Sequence, residues 1–389
     1  MKILLINSFC GQGSTGRICT DLYDILVENG HECCIAYGRG KFEDSTYKTY
    51  KIGNAISIYN HVIQTRLFDR VGLASKISTL KFLKFVRNYN PDIVHLHNLH
   101  GYYLNYKILF NYLKKEFKGK VFWTLHDQWP LTKHGAYLDN LAFEKRRFFL
   151  ESYPKAYFRL YDNLKLKKDS ITALKQLTII TPSNWLKRTI DNSYLNVYSN
   201  KVINNGIDMS SFYPDGTVEN KKKILLFVAN VWEKRKGYEE IRKLQSLINN
   251  SEYQIVIIGE IEKDTKPINN AIHIERTENI AELRKWYSSA FCFINPTFAD
   301  NFPTTNIEAL ACGTPVITYD TGGSSESIEP KVGFAVYKGD LSKVVQLVHN
   351  EISKIKASDC VIRAKKFDKK VKFNEYLELF ESAAIKERN

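Results

Sequence analysis

Ten short apolar runs, set in two series of five and separated by stretches of helical length, restrict this chain more than any other feature. The first half offers KILLINS (2–8), ECCIAYG (32–38), DIVHLH (92–97), VFWTLH (121–126) and LTIITPS (177–183). The second restarts the rhythm with KILLFVAN (223–230), YQIVIIG (253–259), AIHIER (271–276), FCFINP (291–296) and PVITYD (315–320). Each run is nearly continuous in hydrophobicity, as a strand buried on both faces must be. Strands alternating with helices form right-handed βαβ units, and two such series predict an α/β chain of two doubly wound, Rossmann-like domains facing a central cleft. The length agrees, since 389 residues exceed what one core ordinarily supports.

The boundary falls where VINNGIDMSSFYPDGTVENKKK passes from an apolar strand to Asn, Gly, Asp and Pro and then to lysines, with a linker around 205–222. The expected division is a first domain over 1–204, a second over 205–365, and a terminal helix over 366–389 packing back on the first. Ligands of open α/β sheets lie outside the carboxyl ends of the strands, so the loops there should carry the chemistry.

A net charge of +14 favours an anionic partner, whether nucleic acid, a phosphorylated ligand or an acidic membrane surface. Seven scattered cysteines show neither a disulfide framework nor zinc spacing and read as reduced thiols of a cytoplasmic protein. The apolar run after Lys2 is too short for a signal peptide, and no stretch reaches membrane-spanning length. Leu141 to Gln176 breaks the strand rhythm, mixing aromatics with nine Lys or Arg against four acids. It reads either as a basic helical surface for a membrane or anionic acceptor, centred on Lys145, Arg146, Arg147, Lys165, Lys167 and Lys168, or as a solvated helical pair.

Three places carry candidate chemistry. After the first strand, Gly11, Gly13 and Gly16 fit G-x-G-x-x-G, and Gly13, Ser14, Thr15 and Gly16 open a helix whose amides suit an anion. Dinucleotide binding wants an acid after the second strand, where Arg39 stands instead. His126 ends the fourth run, with Asp127 beside it to orient the ring. His95, His97 and His100 invite a metal reading, but no Cys or Glu cluster accompanies them, and hydrogen-bonded histidines are expected. In FINPTFADNFPTTNIEALACGTPVITYDTGGSSESI (293–328), Asp300 and Glu308 stand eight apart, and Asn301, Phe302, Pro303, Thr304, Thr305 and Asn306 form a turn into a helix that would aim amides at a phosphate.

That segment resembles the E-x7-E region of retaining family 4 glycosyltransferases of the GT-B fold. It is most similar to the branch of bacterial capsule, colanic acid and lipopolysaccharide transferases. The likeness continues in PDIVHLHNLHGYYLN, TLHDQWPLT, TPSNWL, NGIDMSSFYP and RKGYEE, in the family's order. The resemblance implies transfer of a sugar from a UDP- or GDP-linked donor, with retention and no metal or other cofactor, to a saccharide or lipid-linked saccharide acceptor. The setting would be the cytoplasm or the inner face of the membrane. It assigns the acceptor to the first domain and the donor to the second. His126 would sit beside the donor phosphate and the reacting sugar, Asp300 would bind sugar hydroxyls, Glu308 the ribose, and Lys236 the leaving diphosphate. The family's companion arginine falls on or next to Asn230, and Arg235 is the candidate to replace it. A sugar-nucleotide epimerase or another GT-B enzyme would share the cleft. A basic nucleic-acid-binding protein would explain the charge but lacks a recognised motif.

Overall fold

The computed structural model describes residues 1–137, 148–150, 156–158, 160–216, 221–262 and 265–385. The chain divides into two compact units, Met1–Ile203 together with the chain from Phe373 onward, and Asn204–Lys372.

In the first unit the strands are β1 (Lys2–Asn7), β2 (Glu32–Tyr37), β3 (Thr49–Lys51), β4 (Ile93–Leu96), β5 (Lys120–Thr124), a small ribbon of β6 (Phe148–Leu150) and β7 (Ala156–Phe158), then β8 (Thr178–Thr181) and β9 (Ser199–Val202). Apart from the antiparallel ribbon they form one parallel sheet in the order β3-β2-β1-β4-β5-β8-β9. The second unit repeats the plan with β10 (Lys223–Trp232), β11 (Tyr253–Ile261), β12 (Ile272–Ile274), β13 (Ala290–Asn295), β14 (Val316–Tyr319) and β15 (Gly333–Val336), ordered β12-β11-β10-β13-β14-β15. In each sheet the winding reverses beside the first strand, between β1 and β4 and between β10 and β13. A doubly wound sheet opens a crevice at this point, because the helices leaving the two strands pack on opposite faces.

The continuous apolar runs follow from that coverage. Leu4 and Ile6 of β1 join Val94, Leu96 and Trp123 under the helices Lys76–Tyr89 and Tyr106–Lys115. Ile3 and Leu5, one residue out of phase, join Ile93, Phe122 and Ile180 under the helix Gly13–Glu28 and Phe373, Tyr376 and Phe380. Those last three lie on the helix Lys369–Ile385, where Phe380 sits 4.8 Å from the ring of Phe122 and the Tyr376 hydroxyl lies 3.2 Å from Thr124 Oγ1.

All ten anticipated strands are present. Besides the ribbon of β6 and β7, the structure adds three strands that the apolar runs did not announce, β3, β9 and β15, each at the edge of a parallel sheet. An edge strand need not be apolar on both faces, and β9 (SNKV) alternates exposed and half-buried residues. Of the basic segment Leu141 to Gln176, the described residues hold the ribbon and one helix, Asn163–Ile171; the rest of the segment, on which the helical readings also fall, lies outside the described residues. All seven cysteines are buried free thiols. Among the described residues no helix is long and apolar enough to cross a membrane.

Candidate active site

At the switch point of the second unit, the chain leaves β10 through Glu233 and the single turn Lys234–Lys236, and leaves β13 through Pro296 to Pro303. Hydrogen bonds stitch the two loops together, since Phe298 N and the Thr297 hydroxyl both donate to Arg235 O, at 2.8 and 3.4 Å. Gly237 holds a left-handed φ of +83°, and a Cβ there would lie 2.2 Å from the carbonyl of Pro296, so the loops meet this closely only because residue 237 is glycine.

This stitching brings Lys236 Nζ to 2.6 Å from Asp300 Oδ2, with side chains 23% and 15% exposed. Burial alone would raise the Asp300 pKa. The charge and hydrogen bond of Lys236, the charge of Arg235 and the amide of Asn301 outweigh it and hold the carboxyl below its ordinary value. Its backbone is fixed as well: Gly323 N donates to Asp300 O at 3.0 Å, and Gly322, at φ +61°, leaves no room for a Cβ, which would stand 2.0 Å from that carbonyl. The site thus holds an ionised carboxylate and an ammonium at hydrogen-bonding distance, still open to solvent.

From Pro303 the chain enters the helix Thr304–Ala311, which has no side-chain cap and no acid in its first turn. Its first amides therefore present the positive end of the dipole at half-buried Thr304 and Thr305. Glu308 projects from the same helix, buried, with Oε2 accepting from the Tyr287 hydroxyl at 3.0 Å.

In the first unit the candidate groups cluster at the carboxyl ends of β1, β4 and β5. The helix Gly13–Glu28 starts at the switch point between β1 and β4, with Gly13 and Ser14 exposed, Thr15 half-buried and Gly16 buried beneath. Its N-cap, Gln12, makes no side-chain cap, and its first turn holds no acid. His126 lies two residues beyond β5 with Nε2 2.9 Å from His97 Nδ1. Burial, opposed by the Asp127 charge and reinforced by His100, lowers its pKa to about 4, so the ring is neutral near pH 7. Asp127 acts on His126 through its charge, while its carboxylate hydrogen-bonds elsewhere: Oδ2 lies 2.6 Å from His100 Nε2 and Oδ1 accepts from Trp129 N at 2.9 Å. His95 pairs with Thr124 Oγ1 at 2.8 Å, so the three clustered histidines take three different hydrogen-bonding partners.

The description Glycosyltransferase Family 4 matches residues 15–211, about half of the chain, and Glycosyl transferases group 1 matches 222–352. The chain belongs to glycosyltransferase family 4. WcaC of Escherichia coli, named for colanic acid biosynthesis, is 24% identical over 379 residues covering 91% of both chains. Sucrose-phosphate synthase of Thermosynechococcus elongatus covers 98% of both chains with a TM-score of 0.74 at 15% identity. Anabaena Alr3699/HepE, solved in complex with UDP, covers 98% of this chain and 100% of its own with a TM-score of 0.64 at 14% identity. These likenesses show the GT-B fold. Membership makes the chain a glycosyltransferase rather than an epimerase.

In this family 4 glycosyltransferase several of the anticipated donor residues make contacts within the protein. Arg235 is engaged by Glu233 Oε1 at 2.9 and 2.5 Å and by Ala299 O at 2.8 Å, so its guanidinium braces the loop that presents Asp300. Asn230 is exposed, in the register shift between Val228 and Val231 where β10 pairs with β11. Asn301, Phe302 and Asn306 point inward: all three are buried, Phe302 against Phe367, and Asn306 between Asn295 at 2.8 Å and Ser324 O at 3.0 Å. They shape the turn into the helix, which half-buried Thr304 and Thr305 open. Lys167 is corrected from surface to core: it is fully buried, donating to Trp129 O at 2.6 Å and Thr132 O at 2.9 Å. Lys165 and Lys168 are exposed, while Lys145, Arg146 and Arg147 lie outside the described residues. Sequence reasoning missed the bracing by Gly322 and Gly323, although the pair in DTGGSS, just after a strand, was a visible signal.

Proposed function

We propose that this glycosyltransferase takes a UDP- or GDP-linked sugar and transfers it, with retention at the anomeric carbon and without a metal, to a saccharide acceptor of a bacterial surface polysaccharide, itself lipid-linked. The observation that carries the reading is the Lys236–Asp300 pair at the switch point of the second unit, beside an uncapped helix N-terminus and the buried Glu308. As the bond from the anomeric carbon to the phosphate oxygen breaks, negative charge collects on the diphosphate. The Lys236 ammonium and the amides at Thr304 and Thr305 are preorganised to meet it. Asp300 accepts from sugar hydroxyls and Glu308 from the ribose. The acceptor oxygen bonds to the anomeric carbon on the face the phosphate leaves, and its proton passes to the departing phosphate oxygen. His126, neutral and held at Nε2, takes part in the transfer. The UDP complex of HepE supports the donor class, and the likeness to WcaC supports a surface polysaccharide as the product's destination.

A thermal-shift panel tests this reading. UDP or GDP should raise the melting temperature without added divalent metal, by the equivalent of about 2.7 kcal/mol at roughly 100 times Kd. Loss of that stabilisation in EDTA would overturn the metal-free donor site. The nucleotide sugar that stabilises most is then the donor for product analysis, where an inverted anomeric centre would refute retention.

A further inference from the structure

We propose that His97 sets the tautomer of His126, fixing its proton on Nδ1, and thereby makes His126 a hydrogen-bond donor rather than a proton acceptor at that atom. The role of that donor in transfer rests on the function proposed above; the tautomer does not.

His97 Nδ1 and His126 Nε2 are 2.9 Å apart in rings inclined by only 12°, so one ring's lone pair lies near the plane of the other's N–H. Two neutral imidazoles can share this bond in two ways, because each carries one proton and one lone pair. In the first, His97 donates from Nδ1 and leaves a bare lone pair on its Nε2. In the second, His126 donates from Nε2 and His97 must carry its proton on Nε2. His97 is 1% exposed, and its Nε2 is buried without a hydrogen-bond partner. The second arrangement would strand an N–H there, and an unpaired buried donor is the costlier orphan. The first leaves only a lone pair, and with Nε2 of His126 accepting, the His126 proton must sit on Nδ1.

The surroundings remove the ways of escape. His97 is anchored by its backbone, N donating to Ile6 O at 2.9 Å and O accepting from Trp123 Nε1 at 2.9 Å. His95 lies against its ring with centroids 4.1 Å apart. Burial and the neighbouring imidazoles push the His97 pKa well below its ordinary value, so neither ring of the pair gains a second proton near neutral pH. A His126 so arranged can donate to an oxygen but cannot collect a proton at Nδ1.

Long-range 1H–15N spectra of the full chain labelled at histidine read this directly, with His126 assigned by loss of its signal in His126→Gln. The expected spectrum shows a protonated Nδ1 and a bare Nε2 for both His97 and His126. His97→Asn, whose side-chain N–H takes the place of Nδ1–H, should preserve the His126 pattern, whereas His97→Leu should move the His126 proton toward Nε2. A wild-type His126 protonated on Nε2, or a His126 spectrum unmoved by His97→Leu, would overturn the proposal. If His97→Leu fails to fold, the wild-type and His97→Asn spectra still decide. Turnover of His126→Ala with the donor from the nucleotide-sugar panel judges the transfer role separately: full activity there removes His126 from the reaction and leaves its tautomer as assigned.

Discussion

Lys236 helps hold the Asp300 carboxyl below its ordinary pKa, yet the two are assigned to different parts of a donor, and the contact can be separated by mutation. Asp300→Asn keeps the shape, removes an acceptor for sugar hydroxyls and releases the ammonium from its carboxylate. UDP affinity should stay level or tighten while turnover falls roughly 100-fold, the cost of about 2.7 kcal/mol of transition-state stabilisation. Glu308→Gln should instead weaken UDP binding about tenfold, as expected for one charge-assisted hydrogen bond. Calorimetric titration with UDP and turnover of the best donor check both, and equal small effects in the two variants would sink the assignment. A second residue tests packing. Lys167→Met matches the length of a buried side chain but leaves the carbonyls of Trp129 and Thr132 without its donor, so the urea midpoint should drop by the equivalent of about 1–3 kcal/mol. A variant as stable as the parent would show that these carbonyls need no such partner.

At the scale of elements, the end of β4 and the loop after β5 hold buried His95 and half-buried His126 uncharged. Burial lowers His126 to about 4 and His95 to about 3, and on the helix Ala55–Phe68 it lowers His61 to about 4. Above an ordinary value near 6.5, neither the folded nor the unfolded chain protonates these rings, and pH does not touch stability through them. Below it, the unfolded chain binds protons the fold refuses, so stability falls with pH until the folded values are reached near 4, by up to about 1.4 kcal/mol per pH unit for each ring. Asp208, held down to about 2, adds its loss only below the ordinary aspartate value of 3.8. Urea midpoints should therefore decline between about pH 7 and about pH 5, and a flat profile there would contradict the buried neutral histidines. The same elements show what could be read in advance. Strands with two covered faces are legible because every residue must be apolar, whereas β3, β9 and β15 at the edges escape that requirement. Asp300, Glu308 and Lys236 were legible as motif residues. The pairings of Asp127 with His100 and of His126 with His97 were not, because residues about thirty apart meet only through strand register. Lys167 was misread for a related reason: a lysine in a basic segment reads as surface until two carbonyls and the ring of Trp129, 4.1 Å from Nζ, are folded around it.

For the molecule as a whole, the +14 charge and the exposed Lys165 and Lys168 predict weak, salt-sensitive association with anionic vesicles, as a lipid-linked acceptor would require. Neutralising Lys145, Arg146, Arg147, Lys165 and Lys168 together should reduce vesicle co-sedimentation at low salt while leaving UDP affinity unchanged; undiminished co-sedimentation would return the segment to a solvated face. Lys167 is left out of that set because its side chain is buried against the carbonyls of Trp129 and Thr132. Chain order adds a constraint of another kind. Phe373, Tyr376 and Phe380 cover one face of a sheet whose first strand begins at Lys2. On the ribosome, the part of that face not covered by the helix Gly13–Glu28 waits through translation of the entire second unit before its cover emerges from the exit tunnel. Until then the nascent first unit keeps apolar surface open to solvent, and it can complete its packing only after the second unit has been translated.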